Sequence, residues 1–395
     1  MRLPLVPLIL TLLVCVGTDA YIYHLLRRRF VRAFPARLQL WSAIALYIML
    51  AATLCIPRRG GSDSQLLLVM WLLFGYFSVY IPKILFVLFD AVASLPLLWH
   101  KHRWRWMSVT GVVLSVAMFM AMWWGALVNR LSVQVREVEV VIDNLPEAYD
   151  GYRMLQFSDF HVGTYGNDTS YVSRIVDKIN AIDADVILFT GDIVNRRTEE
   201  LVPFVPVLSR LHARDGVYSI LGNHDYGDYS DWPSDDDKQE NMVLMDSLQK
   251  AMGWRLLRNE HEMLYRGADS LALIGVENVG DPPFKIYGSL PASYPILSDS
   301  VCKVLLSHNP AHWTSEIEDN KDVNIALTLS GHTHAMQIEV LGLSPAVWRY
   351  PKWGGKYTDA SGRHLYVNIG IGTVAVPMRV GATPELTVIT LRSPK

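Results

Sequence analysis

Cysteine is scarce in this chain: Cys15, Cys55 and Cys302 are the only three among 395 residues. Two lie in apolar spans and one in a strand-like run. They build neither a disulfide framework nor a Cys-type zinc site, so they do not report a redox compartment. An excess of charge of one sign is lacking too. With 36 Lys and Arg against 38 Asp and Glu, the formal charge is −2, which gives no case for nucleic-acid binding. No internal repeat is present. Apolar residues are what the chain has in excess: 51% of it is hydrophobic, which is high for a soluble protein.

That excess lies before residue 130. Residues 3–26, 38–56, 66–98 and 107–128 are apolar runs of about bilayer-spanning length. The third is long for one upright helix and short for two; with Pro82, Lys83 and Asp90 inside it, a tilted or kinked helix is expected. A cleaved signal peptide over 3–20 is disfavoured, because Arg27, Arg28, Arg29, Arg32 and Arg37 follow at once. Those arginines fill the first loop, and Lys101, Arg103 and Arg105 the third. The positive-inside rule puts both loops in the cytoplasm. Four spans then leave both termini and the rest of the chain outside, and an extra crossing at Pro82 would invert this. The reading is a multi-pass protein of the cell (inner) membrane, with residues 1–129 as transmembrane region and 130–395 as one further domain.

From residue 130 the pattern becomes that of a globular protein. Residues 133–142 alternate like a strand, and 154–157 form a buried one. Helical spacing marks 171–182, 201–211 and 239–252. Short apolar strands are read at 185–190, 216–221, 271–276, 301–307, 324–329, 365–369 and 386–391. Helices mixed with strands early, then mostly strands, suit an α/β arrangement of sheets packed face to face with helices outside.

The polar motifs stand at strand ends. Asp159 and His161 leave 154–157 on one side, since strand side chains alternate. Gly191-Asp192 follows the second such strand, with Asn195 beyond it. Gly222-Asn223-His224-Asp225, Ser307-His308 and Gly331-His332-Thr333-His334 each follow another. Any one of these reads as a cap, a turn or a surface histidine. Five in one domain fit two-metal hydrolysis, in which two divalent ions roughly 3.5–4 Å apart clamp a phosphoryl oxygen and generate a hydroxide nucleophile. Such a pair needs a bridging carboxylate, and Asp192 is placed for it. Imidazole and carboxylate ligands without thiolate suit manganese, iron, zinc or magnesium without selecting one.

The ordered series D-x-H, G-D-x-x-N, G-N-H-D, H and G-H-x-H resembles the calcineurin-like metallophosphoesterases. The membrane-anchored YkuE-like branch is the nearest in look, on LQFSDFHVG, LFTGDIVN, LGNHDYG, WRLLRNE, LLSHNP, SGHTH and NIGIGTVAVPMRVG. The resemblance implies a two-sheet β-sandwich flanked by helices. It implies that Asp159, His161, Asp192 and His334 hold one metal ion, and Asp192, Asn223, His308 and His332 a second. His224 would sit by the substrate and protonate the leaving oxygen, oriented by Asp225. One departure stands out: the branch commonly continues G-H-T-H-G-G-Q, where this chain has Ala335 and Met336.

Two further stretches invite a reading. The acidic run 228–240 is a solvated excursion or a regulatory cation site. Residues 347–357 interleave Trp and Tyr with Arg and Lys, which suits either a headgroup region or an exposed hairpin. The function read from all this is a membrane-anchored phosphoesterase acting on a phosphorylated small molecule or a lipid-linked substrate. The alternatives are a pyrophosphatase of a lipid-linked nucleotide such as UDP-2,3-diacylglucosamine, and a non-catalytic scaffold or sensor on a degenerate metal fold.

Overall fold

The computed structural model describes residues 5–294 and 301–394, so the first two residues of the first apolar run lie outside it. The chain divides into two compact units, one built on residues up to Leu127 and the other on 128–374 and 378–395.

The first unit is helical: α1 (Leu5–Arg29), α2 (Phe34–Leu54), α3 (Asp63–Ser94) and α4 (Arg105–Leu127). All four are long and apolar enough to cross a membrane. Arg27, Arg28 and Arg29 fill the last turn of α1, where cations complement the carboxyl end of the helix dipole. The long third run is one helix that passes through Pro82. The proline ring denies the Ser78 carbonyl its usual partner, yet the helix continues on both sides. At about 1.5 Å per residue it spans ~48 Å, against a hydrocarbon thickness of ~30 Å. It therefore tilts or emerges. Its start is fixed by a capping box, with Gln65 N–H on Ser62 Oγ and Ser62 N–H on Gln65 Oε1.

The second unit holds, among the described residues, twelve strands: β1 (Gln134–Val141), β2 (Arg153–Phe157), β3 (Val186–Phe189), β4 (Val217–Ser219), β5 (Arg255–Leu256), β6 (Glu260–Arg266), β7 (Asp269–Gly275), β8 (Cys302–Leu306), β9 (Leu327–Ser330), β10 (Gly355–Thr358), β11 (His364–Val367) and β12 (Glu385–Arg392). They form two six-stranded sheets, ordered β1-β12-β2-β3-β4-β5 and β10-β11-β9-β8-β7-β6. The two-residue period of β3 sorts its side chains. Val186 and Leu188 join Leu271, Val304 and Leu329 between the sheets, while Ile187 and Phe189 pack with Val172 and Ile175 of α5 (Ser170–Asn180) outside. Both faces are covered, which is why these strands read as unbroken apolar runs.

One expectation fails locally and a second holds in part. Residues 201–211 do not form one helix: a 3-10 stretch, Thr198–Phe204, leads into a single α turn, Val205–Leu208. Pro203 and Pro206 lack the N–H donors a continuous helix needs there. The acidic run 228–240 is exposed over much of its length, as a solvated excursion is, but its second half is helix and its first half is tied down. Asp235, Asp236 and Asp237 form the first turn of helix Asp235–Ala251, capped by Ser234, and Asp228 pairs with Lys238 at 2.6 Å and Lys285 at 2.7 Å. Carboxylates at a helix amino end are favoured by its dipole, so the run has a structural cause.

Candidate metal centre

β2, β3 and β4 are parallel neighbours in one sheet, and β8 and β9 are parallel neighbours in the other. Their carboxyl ends therefore lie along one rim of each sheet, and the loops leaving them meet. Asp159 N–H donates to the Gly191 carbonyl and His161 N–H to that of Asp192, while Gly331 N–H donates to His308 O. Five of the seven candidate ligands have left-handed φ: Asp159 54°, His161 48°, Asp192 61°, His332 75° and His334 50°. Non-glycine residues rarely accept that conformation, and such strain gathers at functional sites. Glycine supplies the room: a Cβ on Gly222 would strike the Asp192 carboxylate, and one on Gly331 would strike Ser158 and Asp159.

Two groups of side chains result. Asp159, His161 and His334 form one, and Asp192, His308 and His332 the other. In the first, His334 Nε2 lies 3.2 Å from Asp159 Oδ1 and 3.1 Å from His161 Nε2. In the second, His308 Nε2 is 3.2 Å from Asp192 Oδ2 and 3.3 Å from His332 Nδ1. The same Asp192 Oδ2 is 3.7 Å from His161 Nε2, so one oxygen adjoins both groups. Asn223 stands nearly buried, its Oδ1 without a hydrogen-bond partner.

These contacts test whether the residues fit metal ions. His161 Nδ1 faces the Val194 carbonyl at 3.1 Å and His308 Nδ1 that of Thr190 at 2.7 Å. A carbonyl only accepts, so both Nδ1 atoms carry a proton, and each ring in its neutral form points an Nε2 lone pair inward, the form that binds a cation. Inside, lone pairs face lone pairs and carboxylates at near-contact distance, with the Asn223 oxygen unanswered. Only a cation satisfies such an acceptor surplus, and a set of N and O donors without thiolate suits hard or borderline divalent ions. The donors fit.

The electrostatics of the protein alone agree. Burial would lift the Asp192 carboxyl, but the His308 and His224 rings outweigh it and hold it well below its usual range. His308 responds in kind: burial lowers its imidazole, yet Asp192 and Asp159 carry it up to about 9. Burial and the neighbouring His308 push His332 down to about 3.

The expected partnership of His224 and Asp225 requires correction. Asp225 does not touch the His224 ring; its carboxylate accepts from the backbone N–H of Asp192 (2.8 Å), Ile193 (2.9 Å), Val194 (3.2 Å) and Gly222 (2.9 Å). It shapes the turn that presents Asp192. Burial, with the Asp192 charge next to it, pushes its carboxyl up to about 7. His224 is oriented instead by the Asn195 carbonyl, 2.5 Å from Nδ1, and by a stacked Tyr229 ring at 4.3 Å. This leaves its Nε2 outward, on a half-exposed ring.

Three neighbours take roles at the site that the sequence did not assign, although all three lie in stretches singled out above. Tyr229 Oη accepts from Asn223 Nδ2 at 2.9 Å, which fixes the amide so that Oδ1 faces inward. Tyr350 Oη meets His332 Nε2 at 2.8 Å, leaving Nδ1 for the interior. Arg379, fully buried, reaches His334 Nδ1 at 3.1 Å and the carbonyls of Gly372, Ile369 and Ala382. A lone tyrosine or arginine at such distances in sequence carries no spacing signal. The Ala335-Met336 departure now has a shape: both adopt left-handed φ, 52° and 45°, which glycine ordinarily serves. The Ala335 methyl is buried with Ile369 and Ala382, while Met336 faces out.

A strand-end rim carrying these two histidine–carboxylate groups is that of a metal-dependent phosphoric ester hydrolase, and the chain belongs to the calcineurin-like phosphoesterase family. Residues 152–336 match that family's domain, and residues 1–130 match the transmembrane domain of probable calcineurin-like phosphoesterases. The uncharacterized metallophosphoesterase YkuE of Bacillus subtilis is 30% identical over 66% of this chain and 86% of its own length. A transmembrane protein with metallophosphoesterase domain from Danio rerio is 30% identical over 66% of this chain, which spans only 57% of that relative. Among solved structures, a phosphopantetheinyl hydrolase from Mycobacterium tuberculosis aligns at 13% identity over 55% of this chain and 89% of its own, with a TM-score of 0.33. The protein is thus a membrane protein and a metallophosphoesterase.

Proposed function

We propose that the rim binds two divalent cations and hydrolyses phosphate esters, with residues 1–129 as anchor and 130–395 as catalytic domain. Asp159, His161, Asp192 and His334 would hold one ion, and Asp192, Asn223, His308 and His332 the other. The observation that carries this reading is the single Asp192 oxygen beside both groups, 3.2 Å from His308 and 3.7 Å from His161. When bound, such a pair supplies charge to the phosphoryl oxygens and a nucleophile at neutral pH; manganese, iron, zinc and magnesium all suit the donors. Asp225 holds the Asp192 turn through four backbone amides. His224, with its Nε2 free, donates a proton to the departing ester oxygen. Elemental analysis of the purified full chain is the test. Two equivalents of metal support the reading, and one equivalent would sink it.

The arginine-rich first and third loops favour a catalytic domain outside the cell (inner) membrane. A phosphatase-type reporter fused after residue 395 is then active, and one placed within 27–37 is inactive. The reverse pattern would move the site to the cytoplasm and favour hydrolysis of a lipid-linked nucleotide. Either way the substrate carries phosphate. The alternative of an inert scaffold is disfavoured by the acceptor surplus, which such a role does not require.

A further inference from the structure

His332 and His334 stand at the root of a loop whose side chains run against ordinary solvent preference. Val340 is 57% exposed, Leu341 97%, Leu343 74% and Trp348 89%, and Met336 is exposed beside them. The backbone is equally unusual. Val340 and Leu343 exchange both backbone hydrogen bonds, at 2.9 and 3.1 Å, so Leu341 and Gly342 make a two-residue hairpin turn, with φ of 54° and 78°. A turn with both central residues left-handed favours Asn or Asp at its first position, and so does water. Leucine at that tip answers neither preference.

The loop is nonetheless tied down. Ser344 Oγ donates to the Ala335 carbonyl at 2.6 Å, and Glu339 N–H to that of Val380 at 2.8 Å. The turns His334–Gln337 and Pro345–Trp348, which carry the exposed Met336 and Trp348, pack on each other. An ordered apolar tip calls for an apolar partner.

Chain connectivity names one. α4 ends at Leu127 and β1 begins at Gln134, and a connection of that length reaches at most about 25 Å. A bilayer is therefore within constant reach of the second unit. Leucine and tryptophan are the residues that the boundary between headgroups and acyl chains accepts. Charge is not the driver: Arg349 pairs with Asp281, and Lys352 with Glu318.

We propose that the turn 340–343, flanked by Met336 and Trp348, seats in the headgroup–acyl boundary of the membrane that the chain's own helices cross. The seating stands independently of the reaction proposed above, because its test reads immersion rather than turnover. The full chain carrying Cys55→Ser keeps only the buried Cys15 and Cys302. Leu341→Cys in that background is labelled with a nitrobenzoxadiazole fluorophore and reconstituted into phosphatidylcholine vesicles. Tyr265→Cys, 72% exposed on β6, is the solvent reference. The label at 341 is expected to emit to the blue of that at 265, to lose intensity to nitroxide-bearing lipid, and to be spared by aqueous iodide. Adding phosphatidylglycerol leaves these readings unchanged. Trp348→Cys gives the same pattern and carries the test if Leu341→Cys fails to fold. Equal iodide quenching at 341 and 265 overturns the proposal. So does a label spared by both quenchers, because a second copy or another protein then covers the loop.

Discussion

Both units bury carboxylates, and they treat them in opposite ways. In the helical unit Asp19 is surrounded by donors: Tyr47, Tyr80 and Gln39 at 2.7 Å and Lys83 at 3.0 Å. Asp90 likewise receives Tyr21 at 2.7 Å and Arg103. In the second unit Asp192 faces the Nε2 atoms of two imidazoles whose Nδ1 protons are spent on backbone carbonyls, and Asn223 Oδ1 has no hydrogen-bond partner. Buried charge is closed in one place and open in the other. What marks a site, then, is a mismatch of donors and acceptors, and burial alone does not reveal it.

The comparison breaks hardest at Asp192. Asp192→Asn removes the charge that lets two cations lie close, so elemental analysis of the variant is expected to find both metals lost and activity with them. Full occupancy would mean the oxygen does not bridge. His224 comes next. His224→Asn keeps the metals, but loses about 10²–10⁴-fold in rate on alkyl phosphates and far less on nitrophenyl phosphates, whose leaving group needs no proton. Equal losses on both substrates would assign the ring to phosphoryl charge instead.

A smaller effect separates the rim from its support. Tyr350→Phe frees His332 to rotate and is expected to weaken metal affinity by roughly 10–100-fold in a calorimetric titration, as loss of an outer partner does. Unchanged affinity would reduce Tyr350 to packing. The smallest effect lies in the helical unit. Tyr47→Phe removes one of four donors from Asp19, and its cost is about 0.6 kcal/mol, typical of a hydrogen bond between membrane helices. Thermal unfolding measures it, with metal content unaltered; loss of metal in that variant would show that the two polar clusters are not separate.

Much of this was legible in the chain. Apolar runs gave the four helices because a bilayer demands uninterrupted length, and strand ends gave the motif residues because each follows an apolar run. What stayed hidden depended on direction and on distance in sequence. Asp225 lies next to His224, and adjacency proposed a partnership that the backbone amides of 192–194 in fact claim. Tyr229 and Tyr350 act through a single hydroxyl each, which no spacing encodes. β5 and β10 are short, with little apolar alternation, and β6 carries Glu260, His261 and Glu262 at its start. The left-handed φ of Ala335 was hinted at only by the glycine it replaces.

The placing of β12 has a consequence in time. Among the described residues, β12 is the one strand that pairs with β1, and it lies between β1 and β2. The strand that directly follows α4 is therefore the first of the sheet to be synthesised and the last to be secured. While the ribosome is still producing residues 142–384, β1 has no neighbour to pair with, and the helices can be inserted before the sheet is complete. A chain stopped short of Glu385 would lose its first strand together with its last.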